Sequence, residues 1–335
     1  MKRIFSLLLA LALSLSLCAC AAPAEKADDG KLQIVTTLFP YYDFARAIAQ
    51  DRADVTLLLS PGREAHSFEP TPLDAVTISE ADVFLYNGGE GEYWVESMLD
   101  AAGEHIAVAS RMMDYVDALD EEYVEGMQGA DGHDHDHEHG SHDDHNHDHE
   151  EDEHDSDEIE YDEHIWTSPK NAVILCRAVC DAICRADAEN AAFYRANCEN
   201  YCAQLEDLDA RFAALCESAP RRLLIFADRF PMLYFCREYG LDYRAAFHGC
   251  SGDTEPSLAT IKFLIDKVED ENIPVVYTID FGTKKVAAVV SECTGAAIET
   301  LYSMQTVSRA DFDAGETYLT LMERNFEALR KGLNA

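Results

Sequence analysis

Histidine is the residue type in this 335-residue chain with the most obvious chemistry, and its 13 copies are unevenly placed. Nine of them, His133, His135, His137, His139, His142, His145, His147, His149 and His154, fall between residues 131 and 163. The same window holds 17 carboxylates and no Lys or Arg. In His133-Asp134-His135-Asp136-His137-Glu138-His139, imidazole and carboxylate alternate strictly.

Between Gly132 and Glu158 there is no apolar residue, so the segment has nothing from which to build a packed core. It reads as a disordered loop of many weak, exchangeable sites, and imidazole suits Zn²⁺, Cu²⁺ and Ni²⁺. Metal binds the neutral ring, so capture by this loop should fade below the reference histidine pKa of about 6.5.

The other four histidines are His66, His105, His164 and His248. His66 lies between Leu59-Ser60-Pro61-Gly62 and Glu69-Pro70-Thr71-Pro72, and His248 comes directly after the predicted strand Tyr243–Phe247. Both therefore follow strands, where open α/β sheets place their ligand sites. His164 stands in Asp162-Glu163-His164-Ile165-Trp166, just ahead of a helix start. Three loop imidazoles and a carboxylate are a donor set that Zn²⁺ accepts, and neighbouring carboxylates can orient the rings. His105, in Gly103-Glu104-His105, precedes a strand and reads as a surface residue.

The elements that must bring these loops together alternate. Strands are expected at 32–38, 55–59, 82–86 and 106–109, with helices at 41–50, 72–80 and 93–102 between them. That is an α/β lobe, residues 32–187, with a mainly parallel sheet and the acidic loop 129–160 inserted into it. Ser168-Pro169 supplies an N-cap and a first-turn proline for a helix to about Arg185. Residues 188–218 carry an unbroken helical pattern, and the stretch 189–217 would span about 43 Å as a stiff rod. Residues 219–335 repeat the alternation, with strands at 223–227, 243–247, 275–279 and 296–300, helices at 231–239, 257–272 and 284–293, and one closing helix at 314–333. The expected fold class is α/β: two lobes with mainly parallel sheets, joined by one long rigid helix.

Several segments together resemble a known family. Leu58-Leu59-Ser60-Pro61-Gly62 with His66-Ser67-Phe68-Glu69-Pro70-Thr71-Pro72, then Asn87-Gly88-Gly89-Glu90 and Trp94, then Asp162-Glu163-His164-Ile165-Trp166-Thr167-Ser168-Pro169, are similar to the signature stretches of the zinc/manganese solute-binding lipoproteins of ABC importers. The resemblance covers residues 32–333, and a His-rich acidic loop ahead of the His164 segment is common in the zinc-type members. It implies a C-clamp fold with the metal between the lobes. It carries over His66 and His164 as ligands, His248 as a third, and Asp280 as the fourth, ahead of Asp311, Asp313 and Glu255. Many members have a histidine where this chain has Asp228-Arg229-Phe230-Pro231, and Glu163 stands where the family often has proline. The implied cargo is Zn²⁺, with Mn²⁺ as the alternative if the site holds only two histidines beside carboxylates. The implied partners are an ABC permease and its ATPase, with the binding protein expected to be monomeric.

Charge and address agree with this reading. The 64 acidic and 26 basic residues give a net charge of −38, which repels nucleic acid and attracts cations. Met1-Lys2-Arg3 followed by the apolar run Ile4–Leu17 has the form of a signal peptide, residues 1–19. Leu17-Cys18-Ala19-Cys20 matches a bacterial lipoprotein processing site, which would leave Cys20 to carry a lipid anchor and residues 20–31 as a tether. The protein is thus expected outside the cytoplasm, held to the membrane at its N-terminus. Of the 11 cysteines, Cys176, Cys180 and Cys184 are spaced by four, as are Cys198 and Cys202. They read as apolar core thiols on helix faces; the alternative, a cysteine metal cluster, has no CxxC pair behind it. A zinc hydrolase is the competing function, but the chain has neither an HExxH nor a G-x-S-x-G motif, so no enzymatic activity is expected. A surface-adhesion role stays compatible with the anchor.

Overall fold

In a computed structural model the described residues are 30–63, 68–103, 106–127, 160–249 and 255–334. From Leu32 onward the described residues form one compact body. Its first sheet contains β1 (Leu32–Thr36), β2 (Ala53–Leu57), β3 (Val83–Tyr86) and β4 (Val108–Arg111), in the order β2-β1-β3-β4 and parallel throughout. The register sets Ile34 opposite both Val55 and Val83. The helices α1 (Phe39–Ala49), α2 (Pro72–Ser79) and α3 (Val95–Ala102) connect these strands. Thr71 caps α2 through a capping box with Asp74, which is why that helix begins at Pro72.

The two lobes meet through a helical hairpin. Helix α4 (Pro169–Ala186) starts at Ser168, whose hydroxyl accepts the Asn171 N–H. Helix α5 (Ala191–Ser218) is the long connector and spans about 42 Å. Its expected start at Glu189 is corrected to Ala191, because Ala188–Asn190 forms a tighter 3₁₀ turn on the Asp187 cap.

The second sheet contains β5 (Leu223–Phe230), β6 (Asp242–His248), β7 (Val275–Ile279) and β8 (Ala297–Leu301), ordered β6-β5-β7-β8 and again all parallel. Helices α6 (Leu233–Tyr239), α7 (Leu258–Asp270) and α8 (Lys285–Thr294) link them. Two expectations change here. Strand β5 runs on to Phe230 across a bulge between Phe226 and Arg229, so His248 is the last residue of β6, paired with Phe230, rather than the first of a loop. The closing helix, expected from Ala314, starts at Tyr318 as α10 (Tyr318–Leu333), and a separate short helix, α9 (Arg309–Ala314), precedes it. Gly315 at φ +77° ends α9, and the Thr317–Thr320 capping box opens α10.

One apolar core runs from Ile34, Phe44 and Phe84 through Val179 and Leu205 to Phe226, Tyr277 and Leu329. A second cluster, including Ile225, Leu264 and Val290, fills the outer face of the β5–β8 sheet. No helix among the described residues is long and apolar enough to cross a membrane. The leader, the tether and most of the acidic loop lie outside the described residues.

Candidate metal centre

His164 sits at the seam between the lobes, 1% exposed, on the turn that leads into α4. Asp162 fixes it twice: its Oδ1 accepts the His164 N–H at 2.7 Å and lies 3.0 Å from Nδ1. Thr167 donates its hydroxyl to the His164 carbonyl at 2.8 Å. Burial opposes a charge on this ring, but Asp162, Glu121 and Glu163 outweigh it and hold the His164 pKa above its ordinary value. The Trp166 ring stands edge-on at 5.6 Å, and its indole N–H donates to the Ser303 carbonyl at 2.7 Å, tying this turn to the second lobe.

Two adjoining cavities meet at Gln305. The second-lobe cavity is lined by His164, Arg229, Pro231, Gly249, Ile279, Phe281 and Ser303. Asp280 lies between two of those lining residues and accepts the Ser303 N–H at 3.2 Å. The β5 bulge delivers Arg229 here, its backbone N–H held by Asp228, whose carboxylate also accepts the Thr278 hydroxyl at 2.9 Å. Arg229 therefore lines the cavity from the Asp228-Arg229-Phe230-Pro231 segment, where the resemblance led to the expectation of a ligand position lacking its histidine. The first-lobe cavity is lined by Thr37, Leu59, Phe68, Glu92, Trp94 and Glu163. His66 lies outside the described residues, while Phe68, two positions later, packs on Trp94 at 5.5 Å.

Sequence reasoning did not single out the two carboxylates of that first cavity, half-buried Glu92 and buried Glu163. Burial raises the Glu92 pKa to about 7, with nearby Glu163 adding to the rise and the Thr37 and Gly88 hydrogen bonds opposing it. Burial raises that of Glu163 too, against a 2.7 Å hydrogen bond from the Gly91 N–H. The glycine-rich Asn87-Gly88-Gly89 is the signal that points to them. Gly89 has φ +92°, and a Cβ there would run into the Glu163 carboxyl.

His248 has different neighbours. Its Nδ1 lies 3.0 Å from Glu121 Oε1, and the Tyr123 ring is 5.0 Å away. Ligand atoms of Glu121, Glu160 and His248 all fall within 4.8 Å of one another. His164, His248 and Asp280 do not form such a set among the described residues. The two histidines still adjoin, because Gly249, next to His248, packs so closely on His164 that a Cβ would lie 3.2 Å from its ring. The ends of the His-rich segment are clamped at the same place. The Glu121 N–H donates to the Glu160 carbonyl at 2.8 Å, the Asp162 N–H to the Leu119 carbonyl at 2.9 Å, and Asp120 bridges Tyr161 antiparallel. The His133–His154 set itself lies outside the described residues, as do Cys20 and His105. The weaker acidic candidates are occupied otherwise: Asp311 pairs with Arg324 at 2.9 Å, Asp313 with Arg309 at 3.0 Å and Glu255 with Lys285 at 3.5 Å.

Comparison with known proteins follows the same lines. The chain is 31% identical, over 90% of its length and 88% of the relative's, to the high-affinity zinc uptake system protein ZnuA of Bacillus subtilis. It is also 31% identical, over 92% of its length, to the zinc-binding lipoprotein AdcA of Streptococcus pneumoniae, of which it spans 57%. The crystal structure of the Zn(II)-bound ZnuA-like domain of Streptococcus pneumoniae AdcA superposes with a TM-score of 0.71 at 26% identity, covering 91% of this chain and 100% of the other. The model of the family described as zinc-uptake complex component A, periplasmic, matches residues 34–332, and this chain belongs to that family.

Proposed function

We propose that this protein captures Zn²⁺ outside the cytoplasm and passes it to an ABC permease served by its ATPase. The observation that carries the reading is His164: buried at the lobe seam, oriented by Asp162, and lining a cavity with second-lobe residues, in a chain of the zinc-uptake family. Because Nδ1 is committed to Asp162, coordination by His164 falls to Nε2. His66, His164 and Asp280 are the proposed cleft ligands, with His248 either joining them or acting with Glu121 and Glu160 beside the clamp of the acidic loop. With His248 in the set, three imidazoles and one carboxylate favour Zn²⁺; with His248 outside it, two histidines beside a carboxylate make Mn²⁺ the alternative cargo. The histidines between 133 and 154 would collect metal near the cleft, and a lipid on Cys20 would hold the protein at the membrane. Relatives named as uptake and binding components support a carrier rather than a hydrolase.

Calorimetric titration of the apo protein with Zn²⁺ and Mn²⁺, before and after deletion of residues 131–158, tests the reading. One tight Zn²⁺ site should survive the deletion while several weak ones disappear. His164→Ala should weaken the tight site by more than the roughly 10–100-fold that loss of an orienting partner costs. Loss of all binding with the loop would refute the cleft site, and an unchanged tight site in His248→Ala would remove His248 from it.

A further inference from the structure

Four of the six cysteines on the two hairpin helices face each other, two from each helix. Cys176 and Cys180 sit one turn apart on α4, and Cys198 and Cys202 one turn apart on α5, so each pair shares a helix face. All four are buried free thiols. Sulfur atoms of Cys176, Cys198 and Cys202 lie within 4.8 Å of one another, and Cys198 Sγ is 3.8 Å from Cys202 Sγ. Cys180, one turn from Cys176 on α4, lies outside that triad, with its Sγ 4.0 Å from Cys184 Sγ. In a tetrahedral zinc–thiolate centre with Zn–S bonds of about 2.3 Å, each S···S edge is about 3.8 Å. The Cys198–Cys202 separation already equals that edge, and the other two edges of the triad need close by no more than about 1 Å.

We propose that Cys176, Cys198 and Cys202 form the core of a second, thiolate metal site for one Zn²⁺, with Cys180 turning in from the next turn of α4 as the fourth ligand, and that this site staples α4 to α5 independently of the cargo cleft. Four thiols bind as thiolates, so four protons leave when the ion enters and the centre carries a net charge of −2. Arg177, half-exposed on α4, is in electrostatic reach of Cys202 and offsets part of that charge. A metal bound only by the folded hairpin stabilises the fold by mass action. The exchangeable histidine and carboxylate donors elsewhere in the chain give no thiolate charge-transfer absorption, so the two kinds of site are separable by spectroscopy.

The test uses the full chain, kept reduced, with Cd²⁺ as the probe in place of Zn²⁺. Cd²⁺ is added both to the native protein and during refolding, and the ultraviolet thiolate-to-cadmium charge-transfer band is followed. The expected result is a band that saturates at one equivalent, with a higher melting temperature for the loaded protein. Cys198→Ser and Cys202→Ser should each abolish most of the band, while His164→Ala should leave it intact. Absence of the band under both loading conditions would overturn the proposal, whether or not the serine variants fold. So would a thiol count showing these cysteines oxidised to disulfides in the isolated protein.

Discussion

Asp162 does two things for His164: it sets which ring nitrogen faces the cavity and it raises the ring's pKa. Metal needs the neutral imidazole, so protons compete with Zn²⁺ from above the ordinary histidine value of 6.5 downward. Asp162→Asn should weaken Zn²⁺ about 10–100-fold at neutral pH. It should also move the acid limit of binding to lower pH, which titrations at pH values from about 5 to 8 would register. Glu92 makes a separate prediction about stability. Its folded pKa of about 7 exceeds the ordinary value of 4.5, so between those values the native state holds a proton that the unfolded chain has lost. Stability must therefore fall as pH rises through that window, by up to about 1.4 kcal/mol per pH unit from this one group. Glu92→Gln should flatten the slope and leave the apo protein more stable above about pH 7 by urea denaturation. An unchanged slope would mean that Glu92 ionises normally.

At the scale of elements, loop ends at the C-terminal edges of parallel strands build the cavities, and most of those elements were legible in the sequence. Alternating β-branched runs and helical periods located all eight strands of the described residues, and Ser168-Pro169 fixed the start of α4. What periodicity could not show was where backbone geometry departs from a regular element: the β5 bulge that brings Arg229 to the cavity, and Gly315, which ends α9 and holds the start of the closing helix back to Tyr318. The Glu121–Glu160–His248 grouping was equally hidden, because it joins residues on either side of a long insertion to the end of β6. Gly89 is an element-scale test of the site. Its backbone, at φ +92° and ψ −176°, is in a region essentially reserved for glycine, and its missing side chain makes room for Glu163. Gly89→Ala should cost about 1–3 kcal/mol in backbone strain. It should also displace Glu163 and with it the turn that holds His164, so Zn²⁺ affinity should fall along with the melting temperature. A variant that loses stability but binds Zn²⁺ normally would uncouple the Gly88-Gly89 loop from the site.

For the molecule as a whole, the question is whether two lobes mean two folding units. The continuous core through α4 and α5 says that they do not. Asp43 makes the same point with polar groups. From α1 in the first lobe, its buried carboxylate accepts the Tyr201 hydroxyl of α5 at 2.6 Å and the Tyr318 N–H of α10 at 2.9 Å. Tyr318 in turn donates to the Trp166 carbonyl at 2.7 Å, beside the His164 turn. A first-lobe side chain thus satisfies donors on the connecting helix and on the last helix of the chain, and neither lobe can unfold without stranding the other's polar groups. Asp43→Ala would leave the Tyr201 hydroxyl and the Tyr318 N–H buried without this acceptor, at about 1–3 kcal/mol for each group. Urea unfolding followed by both far-ultraviolet dichroism and tryptophan fluorescence should show one transition in the parent protein and one, at lower urea with the same m value, in the variant. Two separated transitions in the parent would mean that the lobes fold independently. A core continuous through α4 and α5 favours a small tilt of packed elements about α5 over a wide hinge, because a wide opening would expose the apolar residues that both lobes share.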